Sequence, residues 1–245
     1  FFRGLQSAQK LHRNKSYDLC FAWSAVPAGA IALALRRTVG LRYILRVCGP
    51  DIPGFERRYQ TIHFLISPLI RQIWRGAERL VAKSQREIEM INAVDPRVDC
   101  LLIPNGVDAN IFRPTHLAPD DGPLKLLCVG RLIERKGQHH LIDAVKRLTD
   151  EGIDVRLDLV GTGDARAANE AQVVRLGLTD RIRFLGYIPR EEIPSHYAAA
   201  HVFVLPSYNE GMSVAVLEAM ASGLGVGVTP GGGRAEVDED QMKGF

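Results

Sequence analysis

Asn209-Glu210-Gly211-Met212-Ser213-Val214-Ala215-Val216-Leu217-Glu218-Ala219-Met220-Ala221-Ser222-Gly223 sets two carboxylates eight positions apart around the start of an apolar helix. Just upstream, Val202-Phe203-Val204-Leu205-Pro206-Ser207 reads as a buried strand that ends in a turn. The stretch therefore predicts a strand, a tight loop and a helix N-terminus, with one acid at the mouth and one two turns inside. A helix N-terminus presents free N–H groups and partial positive charge, which suit a phosphate. An ionised carboxylate only accepts hydrogen bonds, which suits hydroxyls. Phosphate together with hydroxyls describes a sugar nucleotide. Each acid also has an ordinary reading. Glu210 would favour any helix start, and Glu218 would serve as a partly exposed helix residue. Glu218 stands among Val214, Val216, Leu217, Ala219 and Met220, with no basic side chain beside it on the helix. A charge there needs a partner, and a ligand hydroxyl is one.

A second cluster lies upstream. Lys125-Leu126-Leu127-Cys128-Val129-Gly130 is an apolar run ending in glycine, a buried strand. Arg131-Leu132-Ile133-Glu134-Arg135-Lys136-Gly137 follows, and then a helical pattern through Leu141, Ile142, Val145 and Leu148. Arg131 and Lys136 fall in a loop at the carboxyl end of a strand, the edge where open α/β sheets bind ligands. An arginine fork and a mobile lysine charge suit a diphosphate. The plain alternative is a solvated basic loop, and Arg135 is assigned to it.

The rest of the chain alternates. Strands are expected at Leu19–Trp23, Tyr43–Val47, Arg79–Ala82 and Cys100–Ile103, with helices at 27–38, 61–76 and 85–92. Residues 105–122 are rich in Pro, Asp and Gly and read as a linker between a domain over 1–104 and one over 123–245. The second unit has strands near 124–129, 155–160, 182–184, 202–205 and 225–228, and helices near 137–149, 165–177, 190–200 and 213–222. Such alternation implies parallel sheets with right-handed crossovers. Gly231-Gly232-Gly233 reads as a turn, and Asp238-Glu239-Asp240 as a solvated charge run.

Composition narrows the class. The 245 residues are 46% hydrophobic, enough for two small cores or one large one. A net charge of +3 does not argue for nucleic acid. Cys20, Cys48, Cys100 and Cys128 are widely spaced, and three lie in apolar strand-like runs. They read as buried thiols of a reducing, cytoplasmic compartment rather than a zinc site. The apolar run at 25–35 is too short to span a bilayer. Charge is uneven. Residues 1–46 hold eight basic side chains against Asp18 alone, a net of +7, while the remainder carries −4. That is either a solvated face or a basic face toward anionic lipid or a phosphorylated acceptor, at about 1 kcal/mol per basic residue near an anionic leaflet.

Several motifs in order carry a resemblance. Ile103-Pro104-Asn105-Gly106-Val107-Asp108 is followed by Phe112 and Pro114, then Val129-Gly130-Arg131-Leu132 and Lys136-Gly137. Leu159-Val160-Gly161-Thr162-Gly163, Phe184-Leu185-Gly186-Tyr187, Leu205-Pro206-Ser207 and the paired glutamates complete the set. Over nearly its whole length the chain resembles the retaining glycosyltransferases of family four, whose GT-B fold has two facing Rossmann-like domains. The resemblance implies an α/β protein with parallel sheets and an incomplete first domain. It implies transfer of a sugar from a UDP-, GDP- or ADP-sugar to a glycan or lipid-linked acceptor, with no cofactor and no metal. In it, Arg131 and Lys136 hold the diphosphate, and Glu210 lies near the sugar. Gly130, Gly211, Met212 and Ser213 offer backbone at the donor, and Glu218 hydrogen-bonds the ribose. Gly161 and Gly163 allow close approach of the nucleotide, and Tyr187 and Ile188 contact the base. Cys48-Gly49-Pro50-Asp51 stands where many members carry His-Gly-x-Asp, so an acceptor-side role at that position is in question.

The chemistry agrees with such a donor site. Breaking a sugar–phosphate bond leaves negative charge on the diphosphate, and preorganised cations and helix N–H groups stabilise it. The resemblance also implies opening strands and closing helices that this chain does not contain, so nucleotide binding without efficient transfer is expected, with association through residues 1–103. The remaining alternatives are a non-catalytic nucleotide-binding fragment, an epimerase or a phosphorylase. A phosphorylase would need a lysine carrying pyridoxal phosphate, for which no candidate stands out.

Overall fold

The computed structural model describes residues 1–56, 59–114, 122–208, 210 and 212–229. The chain divides into two units, Phe1–Pro104 and Asn105–Phe245. Each is built on one parallel sheet, the α/β class expected from strand–helix alternation.

In the first unit, helix α1 (Phe2–Asn14) precedes strand β1 (Leu19–Trp23). Then follow α2 (Ala30–Val39), β2 (Arg42–Arg46), α3 (Gln60–Gly76), β3 (Arg79–Ala82), α4 (Gln85–Val94) and β4 (Cys100–Leu102). The sheet order is β1-β2-β3-β4, all parallel. Helix α2 starts three residues later than its apolar pattern suggests. Pro27 has no N–H to give, and residues Ala25–Gly29 form a wide turn in which Val26 is extended. Helix α4 begins with reciprocal capping. Ser84 Oγ accepts from the Glu87 N–H at 3.1 Å, and Glu87 accepts from the Lys83 N–H at 3.1 Å. Tyr43, Leu45, Ile73, Trp74 and Leu80 fill the core. Helix α1 buries no residue, and β1 is an edge strand with Leu19, Phe21 and Trp23 exposed.

The second unit holds β5 (Leu124–Val129), α5 (Gln138–Asp150), β6 (Val155–Val160), α6 (Arg166–Arg175) and β7 (Ile182–Gly186). It continues with α7 (Ile193–Ala198), β8 (Val202–Leu205), α8 (Val214–Ala221) and β9 (Gly225–Val228). Helix α7 is shorter than the span 190–200, because Pro194 falls in its first turn and the bonded ladder ends at Ala198. The order β7-β6-β5-β8-β9, all parallel, makes β5 and β8 neighbours. Connections leave β5 toward β6 and β8 toward β9, so the strand order reverses between β5 and β8. That switch point opens a crevice beyond the strand carboxyl ends. Phe112, from the segment read as a linker, is buried in this unit's core. Tyr197 lies edge-on to Phe112 at 5.6 Å and stacks on Phe203 at 5.9 Å.

The four cysteines are free thiols, and only Cys128 is buried; Cys20, Cys48 and Cys100 are half-buried because they stand toward strand ends or a loop. Burial pushes the Cys128 thiol up to about 12. Phe203 is fully buried against Tyr197 beside the switch point. Phe203→Ala should therefore cost about 3–5 kcal/mol. Chemical denaturation of the purified chain should show this as a lower midpoint for the second unit, and a loss below about 1 kcal/mol would contradict the packing.

Candidate functional site

At the carboxyl end of β5, the Gly130 N–H donates to Val160 O at 3.0 Å and the Leu132 N–H to Thr162 O at 2.9 Å. The two loops leaving β5 and β6 thus run side by side. They leave no room for side chains. A Cβ on Gly161, whose φ is +130°, would sit 2.0 Å from Gly130 O, and one on Gly163 would sit 2.1 Å from Leu132 O. Backbone meeting backbone already demands both glycines, before any nucleotide approaches.

These loops border a cleft of about 330 Å³ lined by Gly130, Arg131, Gly161, Tyr187, Ile188 and Arg190 among others. It gathers five of the residues singled out in the sequence. Arg131 is exposed, and its guanidinium takes no partner among the described residues. Tyr187 presents its ring to solvent at 77% exposure.

Lys136 is placed differently from Arg131. Its Nζ is ion-paired with Glu210 Oε1, and both side chains are mostly buried, at 12% and 13% exposure. Ser207 Oγ donates to the same oxygen at 3.1 Å. Arg135 Nη1 lies 3.5 Å away. Arg135 is therefore not the plain solvated residue that its sequence context suggests, because the β8 exit loop folds back over it. Ser207 Oγ also approaches Arg135 O at 3.1 Å, and the Tyr208 N–H donates to Arg135 O at 2.9 Å. Gly137, at φ +68°, meets the same loop, and a Cβ there would fall 2.2 Å from Pro206 O. The β5–α5 and β8–α8 loops are thus sewn together. Lys136 still borders the cleft, since its Cε and Nζ lie 3.8 and 3.9 Å from where a Gly130 Cβ would stand.

Helix α8 begins at Val214 with Ser213 as its N-cap, and the Ser213 side chain makes no capping hydrogen bond. Met212 gives its carbonyl to Asn105 Nδ2 at 2.8 Å. Gly211, the remaining loop residue singled out, lies outside the described residues, as do the 231–233 glycines and the acidic run at 238–240.

Glu218 has a partner within the protein as well as any ligand hydroxyl. Tyr197 Oη donates to Glu218 Oε2 at 2.9 Å and approaches Ala215 O at 3.2 Å. Burial raises the Glu218 carboxyl above the ordinary range, while the Tyr197 bond and the Arg190 charge act the other way. The phenol itself is pushed strongly upward by burial and by the carboxylate beside it. No sequence signal points to Tyr197. It lies 21 residues away on another helix, and its apolar neighbours make it look like plain core. Arg190 is likewise missed, although it both lines the cleft and acts on Glu218.

In the first unit, the Cys48 N–H donates to Asp51 Oδ2 at 2.9 Å and Ser24 Oγ to Asp51 Oδ1 at 3.0 Å. Both Asp51 oxygens are thus used inside the fold. Among the described residues no cluster of three or more His, Cys, Asp or Glu could hold a metal ion.

Tyr197→Phe removes the donor that favours the Glu218 carboxylate. Glu218 should then titrate at still higher pH, read by carboxyl carbon NMR. A raised folded-state carboxyl pKa means the native state binds the extra proton, so its stability contribution falls as pH climbs past the ordinary carboxylate range. An unchanged Glu218 titration would show that the phenol does not hold it.

Comparison with known proteins places this geometry. Residues 111–245 match the family described as Glycosyl transferases group 1. The chain is 39% identical over 229 residues to the 2-deoxystreptamine glucosyltransferase of Streptomyces kanamyceticus, covering 85% of this chain and 57% of that protein. It is 31% identical to the putative colanic acid biosynthesis glycosyltransferase WcaL of Escherichia coli, covering 89% and 55%. Among solved structures, sucrose-phosphate synthase from Thermosynechococcus elongatus superposes with a TM-score of 0.79 at 26% identity, over 94% of this chain and 60% of that one. The chain spans somewhat more than half the length of these two curated relatives. Two parallel α/β units agree with these glycosyltransferase structures. The chain belongs to the glycosyl transferases group 1 family.

Proposed function

We propose that this chain is the donor-binding part of a retaining glycosyltransferase that moves a sugar from a nucleoside diphosphate sugar to a glycan or lipid-linked acceptor. The observation that carries this reading is Arg131, a guanidinium at the switch point with no partner among the described residues, in one cleft with Tyr187, Ile188 and the tight glycine loops. A guanidinium free to engage an anion suits a diphosphate. Lys136 adds to it. An ammonium carries three donors, so it can keep Glu210 and still offer a proton to a phosphate oxygen at the cleft. Glu210 Oε1 takes every bond described for that carboxylate, which leaves Oε2 for a sugar hydroxyl. Glu218, preorganised by Tyr197, is assigned the ribose, and the exposed ring of Tyr187 the base.

In this reading, Arg131, Lys136 and the α8 N-terminus stabilise the departing diphosphate with no metal and no resident cofactor. Gly211, Met212 and Ser213 supply the backbone around the sugar. The names of the relatives, one acting on 2-deoxystreptamine and one in colanic acid synthesis, support a hydroxyl-bearing glycan-type acceptor. The sugar and base are left at class level.

Arg131→Ala should weaken nucleoside diphosphate binding about tenfold or more, since a charge-assisted bond contributes roughly 1.5–3 kcal/mol. Glu218→Gln should weaken the bare nucleotide, whereas Glu210→Gln should spare it and weaken the sugar-bearing donor. Calorimetry with UDP, GDP and ADP and their glucose conjugates checks each. Unchanged affinity in the Arg131 variant would remove the assignment.

The first unit supports a peripheral role at anionic surfaces. Helix α1 buries nothing and carries Arg3, Lys10 and Arg13 with Phe2 at 78% exposure. No helix among the described residues is long and apolar enough to cross a membrane. Cosedimentation should rise when phosphatidylserine is added to phosphatidylcholine vesicles and fall with salt. Equal binding to both vesicles would reject this role.

A further inference from the structure

A second cavity lies in the same unit, at the other end of the sheet. Its volume is about 390 Å³, and it is bordered by the amino ends of β5, β6 and β7 and by α7. Three of its basic residues stand in one row. Lys125 and Arg156 are Cα partners across β5 and β6, and Arg181 precedes Ile182, which pairs with Leu157. Arg183 lies further along β7, opposite Asp158. Lys125 stands well before Gly130 in the chain, so about 16 Å of extended strand separates this row from the cleft at the switch point.

Like charges on paired strand positions repel. The repulsion is relieved on β7 and left on β5 and β6. Arg183 forks onto Asp158, with Nε to Oδ1 and Nη2 to Oδ2 both at 2.7 Å. Arg181 Nη1 donates to Asp154 Oδ1 at 2.7 Å. The Lys125 ammonium and the Arg156 guanidinium take no partner among the described residues. Asp158 borders the cavity with both oxygens already engaged, and Asp180 is the other carboxylate on its wall. The Lys125 backbone is held in place. Its N–H donates to His201 Nδ1 and its carbonyl accepts from the His201 N–H, both at 2.9 Å. Ala199 and Ala200 face the cavity from the end of α7 with single methyl groups. We propose that this cavity is a second anion site, which takes a phosphate dianion, free or carried as the monoester of a small molecule, between Lys125 and Arg156. One phosphate oxygen on the Arg156 fork and another on the Lys125 ammonium supply the negative charge that the row lacks. The volume leaves room for the body of a small organic phosphate. The site stands apart from the donor reading, which concerns the carboxyl end of the sheet.

Amide NMR of the full chain, titrated with inorganic phosphate against sodium chloride at matched ionic strength, tests the site. Phosphate should give saturable shifts at Lys125, Arg156 and Arg183 that chloride does not give, and Arg131→Ala should keep them. Arg156→Glu sets opposite charges in register with Lys125. It should therefore raise the thermal midpoint while weakening phosphate about tenfold or more. Lys125→Gln should weaken phosphate about tenfold as well. A series with glucose 6-phosphate separates the two sources, since tighter binding than inorganic phosphate points to the ester and equal binding to the free ion. Shifts no different from those with chloride, or phosphate affinity unchanged in both variants, would overturn the proposal. A lower midpoint in Arg156→Glu would show that the guanidinium is held by the fold itself, and would overturn it too. UDP titrations of both variants should match wild type. A parallel loss of UDP and phosphate binding would show one site rather than two and sink the assignment, whereas a wild type that binds phosphate but not UDP would remove only the donor reading.

Discussion

The ion pair between Lys136 and Glu210 is the constraint on which the candidate site depends. It joins the loop after β5 to the loop after β8, two segments more than seventy residues apart in the chain. Removing both charges from water is expensive, and such pairs contribute more to fixing position than to stability. Here the position is reinforced by neutral contacts. Ser207 bridges Arg135 O and Glu210, and Gly137 lets the β8 exit loop lie against the start of α5. With those loops joined, the β5 side presents Arg131 and the β8 side presents the start of α8.

The sheet order makes this pairing possible. Because β5 and β8 are adjacent but their connections run in opposite directions, no crossover helix among the described residues covers the crevice between them. The β5 and β6 loops pack tightly at the cleft edge. Gly161 and Gly163 are required for that contact regardless of what binds there.

The two glutamates show how environment separates identical side chains. Glu210 is surrounded by cations and a hydroxyl. Glu218 lies in an apolar helix, where burial raises its carboxyl and the Tyr197 phenol offsets part of that cost. In the proposed reading, the first is assigned to the sugar end of the donor. The second is assigned there to the ribose.

Much of this was legible in the chain itself. Period-two and apolar-run patterns located the strands from β1 to β9, because burying both faces of a parallel sheet demands continuous apolar runs. Glycine and the following Arg131 marked a strand end, and the spacing from Glu210 to Glu218 marked a helix N-terminus. Local chemistry could not show what lies across space. The Tyr197–Glu218 bond, the engagement of Arg135, the contacts of Tyr208 with His139 and His140 and the backbone packing at Gly161 and Gly163 each join segments distant in sequence. Sequence determined the elements and the types of groups at their ends, because propensity and periodicity act over a few residues. Tertiary structure decided which of those groups are already paired and which stay free, because pairing depends on strand order and loop contact, which only the folded chain brings together.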